Sequence, residues 1–327
     1  MRYLITGGAG FIGSHLADAL LERGDRVSIL DNFSTGDREN IAHLVEDPRV
    51  SVHPGSILDD HLVGNLVGEA DVVVHLAAAV GVHLIVEQPL ESMITNIRGT
   101  ETVLAACADH GRKVLISSTS EIYGKNASGP LHEEADRILG SPFKSRWSYS
   151  TAKAVDEILA HNYWREKGIH SIVVRLFNCV GPRQTGSYGM VVPRFARQAL
   201  AGENITVFGT GDQRRCFCHV EDTVRALILL LDDPNTAGEV YNVGNQEEIS
   251  INELAELMVR LADSDSSITH TPYDLAYEAG FEDMERRVPD ITRIRDSVGW
   301  EPVLTLERTI ADVLSYERDR AAHPGTT

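Results

Sequence analysis

Gly7, Gly10 and Gly13 stand between an apolar run and an amphipathic stretch, and this junction restricts the fold more than any other feature of the chain. Arg2-Tyr3-Leu4-Ile5-Thr6 reads as a buried strand. Ser14 to Arg23 reads as the continuation of a helix, with Ile12, Leu16, Ala19 and Leu20 at helical spacing and Gly24 placed to stop it. The first glycines permit a tight turn and a close approach of backbone N–H groups to a diphosphate. The last lets the helix pack tightly on the strand, with its N-terminus facing the phosphates. A glycine pattern alone is weak evidence. Between a strand and a helix it reads as a dinucleotide loop, with Phe11 and Ile12 inside it.

The next strand, Val27-Ser28-Ile29-Leu30, ends in Asp31, followed by Asn32. An acid here hydrogen-bonds the adenosine ribose and repels a 2′-phosphate, so NAD is expected over NADP. After the third strand, Gly55-Ser56-Ile57 is expected at the adenine edge, with the contact open between the side chain and backbone of Ser56. A fourth buried run, Val72 to Ala78, ends in Ala77 and Ala78, small enough for close approach to the cofactor. His75 within it reads as a packed core histidine. Asn96 completes the expected cofactor-binding set.

Strand and helix patterns alternate from residue 2 to about 178, as in a Rossmann-like doubly wound parallel sheet. Ser171 to Leu176 is the sixth strand, and Asn178-Cys179-Val180-Gly181-Pro182-Arg183 marks a crossover to a second lobe. Val224 to Leu231 and Val240 to Gly244 look like one more helix and strand returning to the sheet. The expected division is a cofactor domain of residues 1–178 plus about 217–245. A smaller, discontinuous α/β substrate-binding lobe takes 179–216 plus 246–327.

A net charge of −18 argues against nucleic acid or an anionic membrane as partner, although local arginines can still form a pocket for an anionic small molecule. Without a signal peptide or a membrane-length apolar run, a cytoplasmic protein is expected. Cys107, Cys179, Cys216 and Cys218 are too few and too poorly spaced for a disulfide framework or a four-ligand zinc site, so no metal is expected. The helices near Asn96–Ala108 and Thr151–Lys167 carry apolar or small residues on more than one face, as a helix-bundle homodimer would need.

The chemistry is carried by Thr119-Ser120-Glu121 at the end of an apolar run and by Tyr149-Ser150-Thr151-Ala152-Lys153. Four residues apart, Tyr149 and Lys153 share a helical face. A phenol of reference pKa near ~10 is a poor base at neutral pH, and a cation one turn away stabilises its phenolate. Thr119 can bridge the same substrate hydroxyl. Glu121 is left for a second proton transfer, which a simple alcohol dehydrogenase would not need.

Gly7-x-x-Gly10-x-x-Gly13, Asp31, Thr119, Tyr149-x-x-x-Lys153 and Asn178 together resemble the extended short-chain dehydrogenase/reductase superfamily over essentially the whole chain. Members modify nucleotide sugars and keep NAD bound through oxidation and re-reduction. The resemblance implies proton abstraction by Tyr149 and substrate hydroxyl binding by Thr119. Lys153 would bind the cofactor ribose and lower the pKa of Tyr149, and Asn178 would lie near the substrate's diphosphate or sugar. Val192 is expected to line the substrate.

Within the superfamily, Thr119-Ser120-Glu121-Ile122-Tyr123-Gly124 is one conservative change from the segment of UDP-glucuronate decarboxylases. The dTDP-glucose 4,6-dehydratases instead carry Asp at the place of Ser120, where it protonates the departing hydroxyl. Arg146-Trp147-Ser148-Tyr149-Ser150, Gln213-Arg214-Arg215-Cys216-Phe217 and Gly280 to Ile291 resemble the bacterial aminoarabinose-pathway decarboxylase domain and plant UDP-apiose/UDP-xylose synthases. This aligns Arg287 with a catalytic arginine. Ala79-Val80-Gly81-Val82-His83 is unlike typical UDP-xylose synthases.

The expectation is therefore NAD-dependent decarboxylation of UDP-glucuronic acid to UDP-xylose or a 4-keto-pentose. Thr119, Glu121, Tyr149, Lys153 and Arg287 would be catalytic, with Ser120, Arg183, Arg215 and Arg287 near the carboxylate and diphosphate, whose geometry a guanidinium fork matches. The alternatives are a 4-epimerase, a GDP-mannose-type 4,6-dehydratase and, in another class, a non-catalytic NAD-sensing protein.

Overall fold

The computed structural model describes residues 1–79, 89–144, 147–185, 190–272, 284 and 286–322. Apolar runs bounded by Gly, Asp or polar residues become strands. These are β1 (Arg2–Thr6), β2 (Arg26–Asp31), β3 (Val50–Pro54), β4 (Val72–His75), β5 (Lys113–Thr119) and β6 (Ser171–Leu176). The four residues of β4 are all buried, the signature of a strand covered on both faces. Beyond β6 the chain leaves the sheet through β7 (Cys179–Val180), the helix Val191–Leu200, β8 (Ile205–Phe208), β9 (Arg214–Cys216) and β10 (Cys218–His219). The helix Val220–Asp232 and β11 (Val240–Val243) then return to it.

The main sheet has seven parallel strands in the order β11-β6-β5-β4-β1-β2-β3. Strand order reverses between β1 and β4, and such a switch point opens a crevice at the carboxyl ends of the strands. One face is covered by a core that includes Leu16, Leu20, Val27, Leu227 and Leu230. The other carries Leu4, Val63, Val73, Leu104 and Ile116. Leu16 and Leu20 are fully buried, and each contributes roughly 1.5–3 kcal/mol of burial.

The first helix runs from Phe11 to Glu22, three residues earlier than the Ser14 start read from the sequence, because Gly10 already serves as its N-cap. The two long helices are Pro89–His110 and Ser148–Lys167. The latter ends on Gly168 in the left-handed conformation. They pack on each other, while Gly99 makes room for Ile57, whose side chain a Cβ there would meet.

The second lobe adds β12 (Glu248–Ser250), β13 (Ile268–Thr271) and β14 (Arg286–Arg287). A three-stranded sheet of order β12-β9-β14 and the β8–β13 pair flank a separate core of Phe195, Ile205, Leu254, Met258, Ile310 and Val313. The helix Ile251–Ala262 opens on a capping box between Ser250 and Glu253. Downstream of β14, Ile291, Ile294 and Trp300 join the core of the main sheet before Leu306 and Ile310 return to that of the second lobe, so the chain crosses between lobes twice more than a simple two-piece lobe requires. Among the described residues no helix is long and apolar enough to cross a membrane.

Candidate active site

A cleft of about 840 Å³ runs across the carboxyl ends of β1, β2, β4, β5 and β6 and against the second lobe. At one end the turn after β1 is fixed by Gly7 N–H donating to the Leu30 carbonyl at 2.8 Å. Gly7 has φ +72°, and a Cβ there would come 2.7 Å from the backbone nitrogen of Ala77. A Cβ on Gly13 would collide with the Gly7 carbonyl. Gly10, Phe11 and Ile12 complete this wall. The helix Phe11–Glu22 starts with no side-chain cap and no acid in its first turn, which leaves its N–H groups available to an anion.

Asp31 ends β2 beside this loop. One carboxylate oxygen accepts from Ala9 N–H at 2.9 Å and the other from Phe33 N–H at 2.8 Å. Burial raises its pKa, against the two backbone bonds. A Cβ on Gly36 would sit 2.9 Å from both carboxylate oxygens, so only glycine leaves them accessible. Asn40, which the sequence reading overlooked, donates to the Ala9 carbonyl at 3.0 Å and braces the loop. Asn32, Ser56, Ile57, Ala77 and Ala78 also line the cleft. The Ser56 hydroxyl accepts from Leu58 N–H at 3.2 Å.

Asn96 is buried away from the cleft. Its amide accepts from Ala79 N–H at 2.7 Å and donates to the Ala79 carbonyl at 3.2 Å, so it clamps the strand end that the cofactor would touch. His75 is fully buried between the Thr6 and Thr100 hydroxyls, at 2.7 and 3.1 Å. Burial and the nearby Lys153 lower its pKa to about 3, so it is neutral.

Thr119, Ser120, Glu121 and Tyr149 line the middle of the cleft. β5 ends at Thr119, whose hydroxyl accepts from Glu121 N–H at 3.2 Å and caps the short 3₁₀ turn Ser120–Tyr123. The turn is held from below by Tyr123, which donates to Asn242 at 2.7 Å and accepts from Arg175 at 2.9 Å. Tyr149 lies in the first turn of the helix Ser148–Lys167. Burial, Glu121 and Asp156 push its phenol well above the usual range. Lys153 stands behind it, 1% exposed, and is not part of the cleft surface. Tyr149 is therefore the member of the pair that lines the cleft, and Lys153 is buried one turn further along the same helix.

The far wall is cationic. Arg215 on β9 and Arg287 on β14 are register partners in a parallel pair, and both are largely buried. Arg287 Nη1 lies 3.7 Å from Glu121 Oε1, and Nη2 lies 3.4 Å from Asn178 Oδ1. Asn178 takes φ +33° and donates to the Cys216 carbonyl at 2.8 Å, tying the crossover to β9. Arg183 also lines the cleft, but its guanidinium is 2.7 Å from Asp18 on the glycine-loop helix, which holds it toward the cofactor side.

Val192 does not line the cleft. It is 1% exposed in the second-lobe core, because a helix beginning at Val191 turns one residue to the wall and the next inward. Val191 and Met190 line the cleft instead. The sequence reading also missed Arg194, whose guanidinium lies 3.9 Å from the Phe208 ring centroid, with both residues on the cleft wall. Only proximity in the fold joins these two, since they come from different elements. Residues 80–83, 146, 280–283 and 285 of the segments singled out in the sequence lie outside the described residues.

Residues 4–313 match the family described as GDP-mannose 4,6 dehydratase. The chain is 40% identical over 319 residues to the UDP-N-acetyl-alpha-D-glucosaminuronate decarboxylase of Bacillus cytotoxicus, covering 97% of this chain and 98% of that one. It is 35% identical to UDP-glucuronic acid decarboxylase 1 of Xenopus tropicalis over 98% of this chain and 73% of the relative. A solved UDP-glucose 4-epimerase from Thermotoga maritima superposes with a TM-score of 0.88 at 31% identity, covering 98% of this chain and all of that one. A UDP-glucuronic acid 4-epimerase from Bacillus cereus, solved with UDP-glucuronic acid and NAD, gives 0.88 at 28% identity over 98% and 99% of the two chains. With its parallel sheet, glycine turn and Tyr149/Lys153 pair, this chain belongs to the GDP-mannose 4,6 dehydratase family, within the short-chain dehydrogenase/reductase epimerases and dehydratases.

Proposed function

We propose that the protein is an NAD-dependent decarboxylase of a UDP-linked hexuronic acid, with UDP-glucuronic acid as substrate. The observation that carries the reading is the pairing of Arg287 with Glu121 at 3.7 Å beside Arg215, across the cleft wall from Tyr149. Two largely buried guanidiniums suit a substrate with both a diphosphate and a carboxylate. Ser120 leaves the site without the acid that a dehydratase uses to expel a hydroxyl.

The glycine cradle, the uncapped helix start and Asp31 fit an adenine dinucleotide. A Cβ on Gly7 or Gly13 would clash with the backbone that shapes the cradle, and one on Gly36 with the Asp31 carboxylate. NAD, held by these residues, would supply hydride-transfer chemistry at the sugar carbinol carbon. Tyr149 takes the proton of the C4 hydroxyl, which Thr119 also holds. The resulting C4 ketone lies β to the C5 carboxylate, so loss of CO₂ places an electron pair on the C4 oxygen as an enolate. Hydrogen bonds from Tyr149 and Thr119 stabilise that oxygen. Glu121, oriented by Arg287, then delivers or relays a proton to C5. Arg215 and Arg287 anchor the acidic groups, and Arg194 with Phe208 forms a platform on which a planar base can stack.

Mass spectrometry after incubation with UDP-glucuronic acid and NAD tests this. Loss of CO₂ supports the reading, and an isomer of unchanged mass would replace it with 4-epimerisation. A 2-acetamido hexuronate is a second substrate reading, favoured by the 40% identity to the Bacillus decarboxylase over nearly the whole of both chains. Parallel rates with the two UDP-sugars decide between them.

The protein would act as a homodimer. The helices Pro89–His110 and Ser148–Lys167 leave Leu90, Ile94 and Ile158 exposed at 72, 38 and 57%, an apolar strip that a second copy would cover. Sedimentation of an Ile158→Lys variant as a monomer would support that assembly. Four cysteines without disulfides accord with a cytoplasmic setting.

A further inference from the structure

Beneath Tyr149 the helix Ser148–Lys167 buries two charges in direct contact. Lys153 Nζ lies 3.1 Å from Asp156 Oδ2, with the residues 1% and 0% exposed. A buried ion pair is weak evidence for stability, because desolvation of both groups offsets their attraction and apolar replacements often do as well. Ala152 and Ala160, one turn to either side of Asp156 on the same helical face, are also fully buried. The carboxylate therefore calls for a reason other than packing.

We infer that Asp156 is a positioning residue of the proton-transfer site: it holds the Lys153 ammonium and offsets its charge, so that the Lys153–Asp156 pair, rather than Lys153 alone, sets the basicity of Tyr149. A chain of hydrogen-bonding groups runs from the cofactor side to Thr100. Ala77 N–H donates to the Thr6 hydroxyl at 3.3 Å, and that hydroxyl lies 2.7 Å from His75 Nδ1. His75 Nε2 lies 3.1 Å from the Thr100 hydroxyl, and Thr100 joins Lys153 in opposing the rise of the Asp156 carboxyl. Each hydroxyl and the neutral ring can donate once and accept once. Read from Ala77, the chain can keep one donor direction as far as Thr100, while the Asp156 oxygens make no hydrogen bond among the described residues and have the Lys153 ammonium as their charged contact.

The charged groups that act on Asp156 among the described residues are Lys153 and Glu157 of its own helix; neutral His75 of β4 acts on Lys153, and Glu121 of the turn after β5 acts on Tyr149. Glu157 is engaged by Arg175 of β6 at 2.7 Å and by the Ser118 hydroxyl. Burial raises the Asp156 carboxyl and Lys153 opposes that rise. Glu121 and Asp156 both act with burial to keep the Tyr149 proton in place.

The catalytic meaning of this pair rests on the decarboxylase reading, but its titration does not. The test is tyrosinate absorbance of the NAD-saturated protein across alkaline pH, differenced against Tyr149→Phe. Asp156→Asn and Asp156→Ser are expected to lower the Tyr149 midpoint by about one unit or more, the scale of a nearby charge in a dry site. Asp156→Glu is expected to titrate with the wild type. Neutral variants that titrate with the wild type overturn the inference, as does a Glu variant that shifts as far as Asn. Failure of the wild type to decarboxylate UDP-glucuronic acid would remove the proposed reaction and leave the titration result standing.

Discussion

Replacing Arg287 by Met tests which acidic group of the substrate this arginine reads. The guanidinium is 8% exposed and sits 3.7 Å from Glu121, close enough for a carboxylate of the substrate to share its fork. At that separation and an effective dielectric of about 20, a unit charge pair is worth about 4 kcal/mol before desolvation. A hydrogen bond to a charged group nets roughly 1.5–3 kcal/mol, so kcat/KM for UDP-glucuronic acid should fall about ten- to a hundredfold. UDP-xylose has the diphosphate but no carboxylate, and its calorimetric affinity should change by less than about threefold. Arg215→Met should weaken both ligands together, because the diphosphate is common to them. Equal losses for acid and pentose in Arg287→Met would refute the assignment and move Arg287 to the diphosphate.

Tyr149→Phe should slow cofactor reduction, followed in a single turnover, by about a hundredfold to ten-thousandfold while equilibrium dialysis still finds NAD bound; a loss of both would make Tyr149 a binding residue. Gly13→Ala forces a methyl onto the Gly7 carbonyl, so NAD affinity should drop and thermal unfolding should move down by the equivalent of about 1–3 kcal/mol. His75 carries its proton less readily folded, near pH 3, than unfolded, near ~6.5, so the unfolded chain binds the extra proton as pH falls. Stability should therefore decline below about pH 6.5, by about 2 kcal/mol at pH 5 relative to pH 7. His75→Gln should remove that part of the slope in urea titrations.

The fold was legible because periodicity carries it. Each apolar run of β1 to β6 is bounded by a turn residue, and the Gly7–Gly13 junction states which helix follows which strand. The nucleotide end was legible for the same reason, since its residues are contiguous. The second lobe resisted because its strands hold two to four residues, too short for alternation to register. Val192 was misplaced by one residue, an error that a helix of 100° per step converts into a side chain in the core behind the wall. Asn96 reads as a cofactor ligand from its position, whereas the fold gives it to the Ala79 backbone. Arg194 with Phe208 and Lys153 with Asp156 depend on facing geometry that spacing does not encode for the first pair and only suggests for the second.

Glu121 and Arg287 meet from opposite lobes, the first on the turn after β5 and the second on a two-residue strand beside β9. A substrate carboxylate lodged between them would act as a rivet across the cleft. In the proposed reaction that rivet departs as carbon dioxide. The chemistry would then loosen the two halves from within, and the enzyme would grip its pentose product less firmly than the acid it admitted.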